Sequence, residues 1–444
     1  MSKPLVLPPF QLFRREGSDV WHVRFSLSGV GQIRRSTGSS IRDQAEAAAQ
    51  QIVLSTLFRK ENDLPLKSRA VGDVCDEYLS WLAKEVDHQQ IPRSRLTVGR
   101  SDIGRFIKPF LEGRAIESVR SQDITALCEW ARTYWLDGPG SSISVIEYHR
   151  AGRIVRRKPK GQVLSRASLD RITTQLRRLI TFAVDQGYLR KDQLPEFPRK
   201  KADDNPRPTF SSAELTLLIQ ALRDQCSPAK VTNASIRRDR ILLLCFVGML
   251  AHSGMRPTDL YKLRWRSIEG FSWSQPLDPM MEAVQLIADP TRISMLRAEE
   301  VRLYADGKKS PRKVIPNSEF ARYLTILLAQ TINDRRRCPL PNEPVLAHPD
   351  GTKIRSLRNG LVHVLTRTGL LKDAFGKRRT AYSLRHFYIS KAIEAGVNIY
   401  VIARNCGTSV DMIQRFYAKD NIEVSARQLT ELGEGFPRLG DVVS

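Results

Sequence analysis

The sequence predicts a mainly α-helical fold with small β-sheets, on three observations. Apolar residues recur at helical spacing through most of residues 71–186 and again beyond 210. One early stretch, SDVWHVRFSL, alternates apolar and polar residues as a strand buried on one face does. A later run, ILLLCFVGML, is apolar nearly all round, which suits a helix at the centre of a domain.

In chain order, residues 18 to 38 open with Trp21, Val23, Phe25 and Leu27 alternating with Val20, His22, Arg24 and Ser26. Gly29 and Gly31 supply a turn, a second strand follows around Gln32 to Ser36, and an Ala- and Gln-rich helix runs from about Arg42 to Phe58. The unit reads as β-β-α over residues 1–62 with Arg34 and Arg35 exposed, serving either as a stabilising cap or as a small DNA-contacting module.

After a charged joint at Arg59 to Ser68, four amphipathic helices fill residues 69–195. The first, Val71 to Lys84, stripes Val74, Cys75, Tyr78, Leu79 and Leu82; the second, Thr97 to Leu111, buries Ile103, Phe106, Ile107 and Phe110. Ser121 is placed to cap a third with Ile124, Leu127, Cys128, Ala131, Tyr134 and Trp135 on one face. The fourth, Leu169 to Gln186, sets Leu176, Leu179, Ile180 and Ala183 against a surface carrying Arg171, Arg177 and Arg178. Between the third and fourth lies a long connection, Leu136 to Ser165, holding Arg150, Arg153, Arg156, Arg157, Lys158 and Lys160. A loop of this length is either solvated and structureless or functional, here as a contact to a DNA backbone. Arg34, Arg35, Arg153, Arg156, Arg157, Lys158, Arg171 and Arg178 are the candidate DNA-binding residues.

Prolines and charges mark Glu196 to Thr209 as a linker, and a new domain starts at Phe210, where Ser211 and Glu214 form a capping box. The apolar helix Arg240 to Ala251 delivers the turn HSGMRPTDLYKLRW, which sets Arg256 just before Pro257, a good first helical residue, with Asp259 one turn on. From Ile287 to Pro316 the pattern suits strands and a hairpin turning at Asp306-Gly307, with Lys308 and Lys309 beside the turn. Taken alone, a basic hairpin is mostly a solvated charged edge. Tyr382 to Ala395 then reads as a helix, Ile399, Val401 and Ile402 begin another that Gly407 ends, and Met412, Ile413 and Phe416 mark a third that carries Tyr417.

Composition narrows the function. The chain has 444 residues, a net charge of +24 and a pI near 10.1, which point to a polyanionic partner, nucleic acid before a membrane surface. No run approaches the length of a spanning helix and the start lacks a signal peptide's apolar region, so a cytoplasmic protein with no membrane partner is expected. The six cysteines are scattered with no C-x-x-C pair and read as reduced core thiols. HExxH, P-loop and GxGxxG motifs do not occur, which leaves metal, nucleotide and dinucleotide chemistry without positive support.

Four segments, SGMRPTDLYKLRW, GKKSPRKVIP, YSLRH and GTSVDMIQRFY, resemble in sequence and order the boxes of the tyrosine recombinase or phage integrase family. The last keeps the family's step of ten residues from Gly407 to Tyr417. The resemblance implies an arm-type DNA-binding module over 1–62, a helical core-binding domain over 69–195, a linker at 196–209 and a mixed α/β catalytic domain over 210–420, closed round DNA as a C-shaped clamp. The tail at 421–444 is either a frayed end or, as the resemblance implies, a segment that packs on a neighbouring protomer. By the same resemblance Arg256 is the first arginine, Lys308 the hairpin lysine that protonates the departing 5′-oxygen, with Lys309 its nearest rival, Arg385 the second arginine and Tyr417 the nucleophile.

The residue types suit that chemistry. Two guanidinium forks can hold the non-bridging oxygens of a scissile phosphate in bidentate fashion while staying charged. A phenol of pKa about 10 needs a cationic site to favour its phenolate. Two positions depart from the family pattern: Tyr382 stands where many relatives have His, and Thr408 where they have His or Trp. A phenol donates a hydrogen bond but is a weak base, so the base is left open. His386 follows Arg385 directly, and a step of one residue turns a helical side chain about 100° away, which makes it a structural or supporting histidine.

The resemblance implies a site-specific recombinase, the integrase of a prophage or genomic island, working through a 3′-phosphotyrosine and a Holliday junction. Its partners would be double-stranded DNA attachment sites, three further copies in a homotetramer and DNA-bending accessory proteins; it needs no cofactor or metal and is nucleoid-associated when bound. A resolvase or transposase with the same chemistry and a non-catalytic DNA-binding accessory protein are the alternatives. An RNA-binding protein would need stacking platforms, and the aromatics here fall mostly on core stripes.

Overall fold

The structure, a computed structural model, describes residues 7–62, 64–150, 153–159, 161–198, 208–271, 287, 301–306 and 311–417. The chain divides into two compact units, Met1–Ala202 and Asp203–Ser444.

The first unit opens with an antiparallel sheet in the order β1 (Phe10–Arg14), β2 (Trp21–Leu27), β3 (Gly31–Ser36), followed by helix α1 (Arg42–Glu61). Val23, Phe25 and Leu27 are buried against Ala49 and Val53 of α1, as their alternation requires. The module is thus β-β-β-α, one strand more than the β-β-α expected. Strand β1 sets Phe10 opposite Phe25 and Leu12 opposite Val23, and so adds just two apolar side chains to the buried face. Flanked by Pro9 and the charges of Arg14 to Glu16, two residues carry too little alternation to be read as a strand. Arg34 is exposed as expected, but Arg35 is half-buried and its Nη2 donates to the Leu66 carbonyl at 2.7 Å. Neighbours on a strand face opposite sides, so both could not be equally solvated.

Within the same unit α1 is fastened to the helices that follow: Arg59 donates to the Pro65 carbonyl at 2.8 Å and pairs with Glu117. Helices α2 (Val71–Asp87), α3 (Arg93–Asp102), α4 (Lys108–Leu111), α5 (Ser121–Thr133) and α6 (Arg166–Asp185) surround one core that includes Tyr78, Leu82, Ile103, Leu127, Ile172 and Leu179. Between α3 and α4 the chain makes a π-helical turn, Ile103–Ile107. Pro109 has no N–H to donate back to residue 105, and the wider turn absorbs that break while keeping Ile103, Phe106 and Ile107 buried. Ser121 is the first residue of α5 and not its cap; the helix start is held by Asp123, whose carboxylate accepts from the Arg120 N–H at 2.8 Å.

The connection 136–165 is not structureless. It contains an antiparallel hairpin, β4 (Ile146–Arg150) and β5 (Arg153–Arg157), with Ile146 opposite Arg157 and Tyr148 opposite Val155. Basic residues occupy both faces of this ribbon, and no alternation survives to announce it.

In the second unit the capping box is present: Ser211 Oγ accepts from the Glu214 N–H at 3.1 Å and Glu214 Oε2 accepts from the Ser211 N–H at 2.9 Å, opening α7 (Ser212–Asp224). Helix α8 (Ala234–Ser253) is buried continuously from Ile241 to Ala251, the central place its all-round apolar run demands. A short helix α9 (Pro257–Leu260) follows, then a sheet in the order β6 (Ile268–Glu269), β7 (Arg302–Asp306), β8 (Pro311–Val314). Helices α10 (Glu319–Arg335), α11 (Arg358–Arg367), α12 (Ala381–Glu394), α13 (Ile399–Cys406) and α14 (Val410–Tyr417) complete the described part.

Among the described residues no helix is long and apolar enough to cross a membrane. The cysteines are all unpaired; Cys75, Cys226, Cys245 and Cys406 are buried, Cys128 half-buried and Cys338 exposed.

Candidate active site

Two helices end in the second unit on glycines with left-handed backbone: α8 at Gly254 (φ 61°) and α13 at Gly407 (φ 65°). A side chain is disfavoured at either for a second reason. A Cβ on Gly254 would stand 2.4 Å from the Tyr388 ring, and one on Gly407 would stand 2.5 Å from Arg312 Nη1. The carbonyls that finish these helices carry the negative end of the helix dipole and attract cations.

The two arginines use those carbonyls. Arg385, on α12 and 5% exposed, donates from Nη1 to the Gly254 carbonyl at 2.7 Å and the Cys406 carbonyl at 2.6 Å. Arg256, at the corner before Pro257, donates to the Gly407 carbonyl, and its Nη1 lies 3.6 Å from Asp259 Oδ2. Two arginines far apart in sequence are therefore brought to one place by two helix ends. Burial pulls the Arg385 pKa down to about 10; Cys406 opposes that shift, and the charges of Arg256 and Arg312 add to it. The guanidinium stays protonated at neutral pH but is under-solvated, which favours an incoming anion.

A cleft of about 230 Å³ opens beside them, lined by Arg256, Tyr382, Arg385, His386, Ile389, Thr408, Met412 and Phe416. Tyr382, Arg385, His386 and Ile389 are spaced i, i+3, i+4, i+7, the stripe of one helix face. His386 therefore lines the cleft alongside Arg385. The rotation of one residue was the wrong measure, since residues three and four beyond Tyr382 share its face. Tyr382 is 39% exposed there and Thr408 is half-buried at the cleft edge. Helix α14, which ends on Tyr417, contributes Met412 and Phe416 to the lining. Lys308, the hairpin turn, the segment 199–207 of the expected linker and the tail 421–444 lie outside the described residues.

One further cation belongs to this cluster. Leu303 pairs with Val314 and Ala305 with Arg312, so Arg312 points to the buried face of the sheet with three apolar neighbours. Its Nη2 donates to Asp259 Oδ2 at 2.9 Å. Asp259, 5% exposed, thus bridges Arg312 and Arg256. Arg312 belongs to the hairpin whose sequence, taken alone, reads as a solvated charged edge; the signal to the contrary is Val314, a core residue two positions on, which places Arg312 on the same face.

In the first unit Arg157 and Arg171 line one cleft, together with Arg105 and Asp102. Arg171 binds Asp102, which is 1% exposed, through Nε at 2.7 Å and Nη2 at 2.9 Å. Arg156 pairs with Glu147 across the hairpin at 2.5 Å, and Arg157 lies 6.0 Å from the Tyr148 ring. Arg34, Lys158 and Arg178 are exposed, and Arg153 lies on strand β5. Among the described residues no group of three or more His, Cys, Asp or Glu side chains could hold a metal ion.

No family model and no curated protein sequence matches the chain. Solved structures do. The integrase of transposon Tn1549 in complex with a circular intermediate DNA superposes with a TM-score of 0.51 at 13% identity, covering 82% of this chain and 100% of that one. The same integrase in complex with transposon right end DNA gives a TM-score of 0.50 at 13% identity, with 82% and 99% covered. A lambda integrase tetramer bound to a Holliday junction matches at a TM-score of 0.47 and 15% identity over 92% and 94%. The chain has the fold of a tyrosine recombinase, helical with small antiparallel sheets.

Proposed function

We propose that the protein is a site-specific DNA recombinase that cleaves and rejoins strands through Tyr417, the integrase of a mobile element. The observation that carries this reading is the cleft in which Arg256 and Arg385 converge on helix ends beside the helix that bears Tyr417. Guanidinium groups held there can take the two non-bridging oxygens of a phosphodiester and stabilise the charge that builds as the phosphorus becomes five-coordinate.

The Tyr417 oxygen attacks phosphorus, the bond to the 5′-oxygen breaks, and a 3′-phosphotyrosine forms. Lys308 delivers the proton to the departing 5′-oxygen. A 5′-hydroxyl from a second strand then attacks the same phosphorus, the phenolate leaves, and the strand is rejoined with its bond energy conserved. Two such exchanges pass through a Holliday junction. Tyr382 and Thr408, which both line the cleft, donate hydrogen bonds to the bound phosphate. His386 lines the same cleft and is the other candidate for exchanging the tyrosine proton.

The first unit supplies DNA affinity. Residues 1–62 act as the arm-type module and residues 69–195 as the core-binding domain, with Arg34, Arg153, Arg156, Arg157, Lys158 and Arg178 on the phosphate backbone. Arg171 is held by the buried Asp102 carboxylate and Arg35 by the Leu66 carbonyl, so both shape that surface and contribute less to it than Arg156, whose partner Glu147 is itself exposed. The working form is a homotetramer on two attachment sites, aided by DNA-bending proteins, inside the cell.

Covalent trapping tests the reading. Protein incubated with nicked duplexes from the DNA flanking its gene, then denatured, should run as a protein–DNA adduct that Tyr417→Phe abolishes while binding persists. An adduct that survives the substitution assigns the nucleophile elsewhere; salt-sensitive binding with no adduct on any flanking duplex leaves a DNA-binding protein without this chemistry.

A further inference from the structure

Strand β8 and the residue that follows it are fastened to the last turn of α13 and its terminal Gly407 at two points that the chemistry above does not use. At the first, the Arg312 guanidinium lies flat on Gly407: a Cβ built there would stand 2.5 Å from Nη1, 2.7 Å from Cζ and 2.9 Å from Nε. The same guanidinium is held by Asp259 at 2.9 Å, and Asp259 also faces Arg256, which grips the Gly407 carbonyl. Gly407 is thus held on its carbonyl by one arginine and on its Cα by another. At the second point Asn405 reads the main chain of Ile315 in both directions, accepting from its N–H at 2.7 Å and donating to its carbonyl at 3.0 Å. Asn405 Nδ2 also donates to the Tyr388 hydroxyl at 3.2 Å, which ties the same contact to α12.

Stability does not explain Arg312. It occupies a core-facing strand position that an apolar residue would fill, and its Nε is buried with no hydrogen-bond partner among the described residues. Burying a guanidinium with one donor unsatisfied costs free energy that a single carboxylate partner repays incompletely. A residue kept at such a cost on the edge of a reactive cleft is better explained by what it holds in place.

We infer that Arg312 is a positioning residue: with Asn405 it locks strand β8 to the Gly407 turn and sets where the tyrosine helix α14 stands relative to Arg256. The effect on reaction rate rests on the recombinase reading; the lock itself does not. Strand β8 and helix α14 are then coupled through the Gly407 turn, so a displacement of β8 displaces α14.

The test follows deuterium uptake and adduct formation in the same full-length variants. Arg312→Ala and Asn405→Ala should each raise uptake in peptides covering 399–417 while peptides of α8 keep their protection. Each should slow single-turnover adduct formation on the order of tenfold to a hundredfold, the scale expected of a misplaced reacting group, with DNA affinity held. Arg312→Lys keeps the charge beside Asp259 but cannot lie flat on Gly407, and should recover part of the rate and little of the protection. Unchanged uptake over 399–417 in both alanine variants overturns the lock, as does a rise spread across the whole unit. If uptake changes as described but the unaltered protein forms no adduct, the lock stands and the recombinase reading falls.

Discussion

Arg385 is held by main-chain carbonyls at two helix ends, and this decides what can replace it. A lysine ammonium could reach one of those carbonyls but has no planar fork with which to keep both and still meet a phosphate. Arg385→Lys should therefore lower the single-turnover rate of adduct formation about 10²- to 10³-fold, the usual loss for a charge-stabilising donor. Duplex affinity, measured in parallel, should change little, because many other cations contribute to it; a matching loss of affinity would make Arg385 a binding residue instead. At this scale much of the site was legible. Arg256 and Arg385 each sit in a short segment whose local pattern fixes a helix corner or a helix face. Arg312 was legible only in part: Val314, two positions on, marks its face, but its partner Asp259 lies 53 residues earlier and pairing across that distance leaves no local pattern. The face on which His386 lies is shown by Tyr382 and Ile389 and not by its neighbour Arg385.

Single elements are governed by their ends. The capping box that starts α7 has a second duty, since both Glu214 carboxylate oxygens accept from Arg379 Nη2 at 2.8 Å. Arg379 is 4% exposed and also donates to the carbonyls of Thr209, Leu370 and Lys372. Glu214→Gln removes the charge that offsets a buried guanidinium; the carboxylate itself is a third exposed, and the stability of the second unit should fall by about 1.5–3 kcal/mol in denaturant unfolding, the range for a hydrogen bond to a charged group. A loss under about 1 kcal/mol would mean that the carbonyls alone suffice to hold Arg379, as neutral hydrogen bonds of that size could. The box itself was readable from Ser211 and Glu214; its link to Arg379, 165 residues on, was not. The same division recurs in the first unit. Strand β2 announces itself by alternation, whereas β1 adds two core contacts and the β4–β5 ribbon is basic on both sides, so period two is lost.

For the whole molecule, a net charge of +24 and two units that each own a core make a divisible protein. Residues 1–202 expressed alone should fold and bind duplex DNA, with an affinity that falls roughly 10³- to 10⁵-fold between 50 and 200 mM salt if six to ten phosphates are contacted. They should form no adduct. A binding constant indifferent to salt would remove the first unit from the DNA interface. That the protein is basic and helical was plain from composition and periodicity; that its cationic cleft is assembled from main-chain oxygen was not. The carbonyls of Gly254, Cys406 and Gly407 belong to the backbone, and no amino-acid exchange deletes them. A deep mutational scan would accordingly register strong constraint at the two glycines, through their left-handed φ, and only a packing requirement at Cys406, although its carbonyl bonds the same arginine. Replacing the peptide bonds after these residues by esters, which weakens a carbonyl as an acceptor, would expose a layer of the site that genetic variation leaves silent.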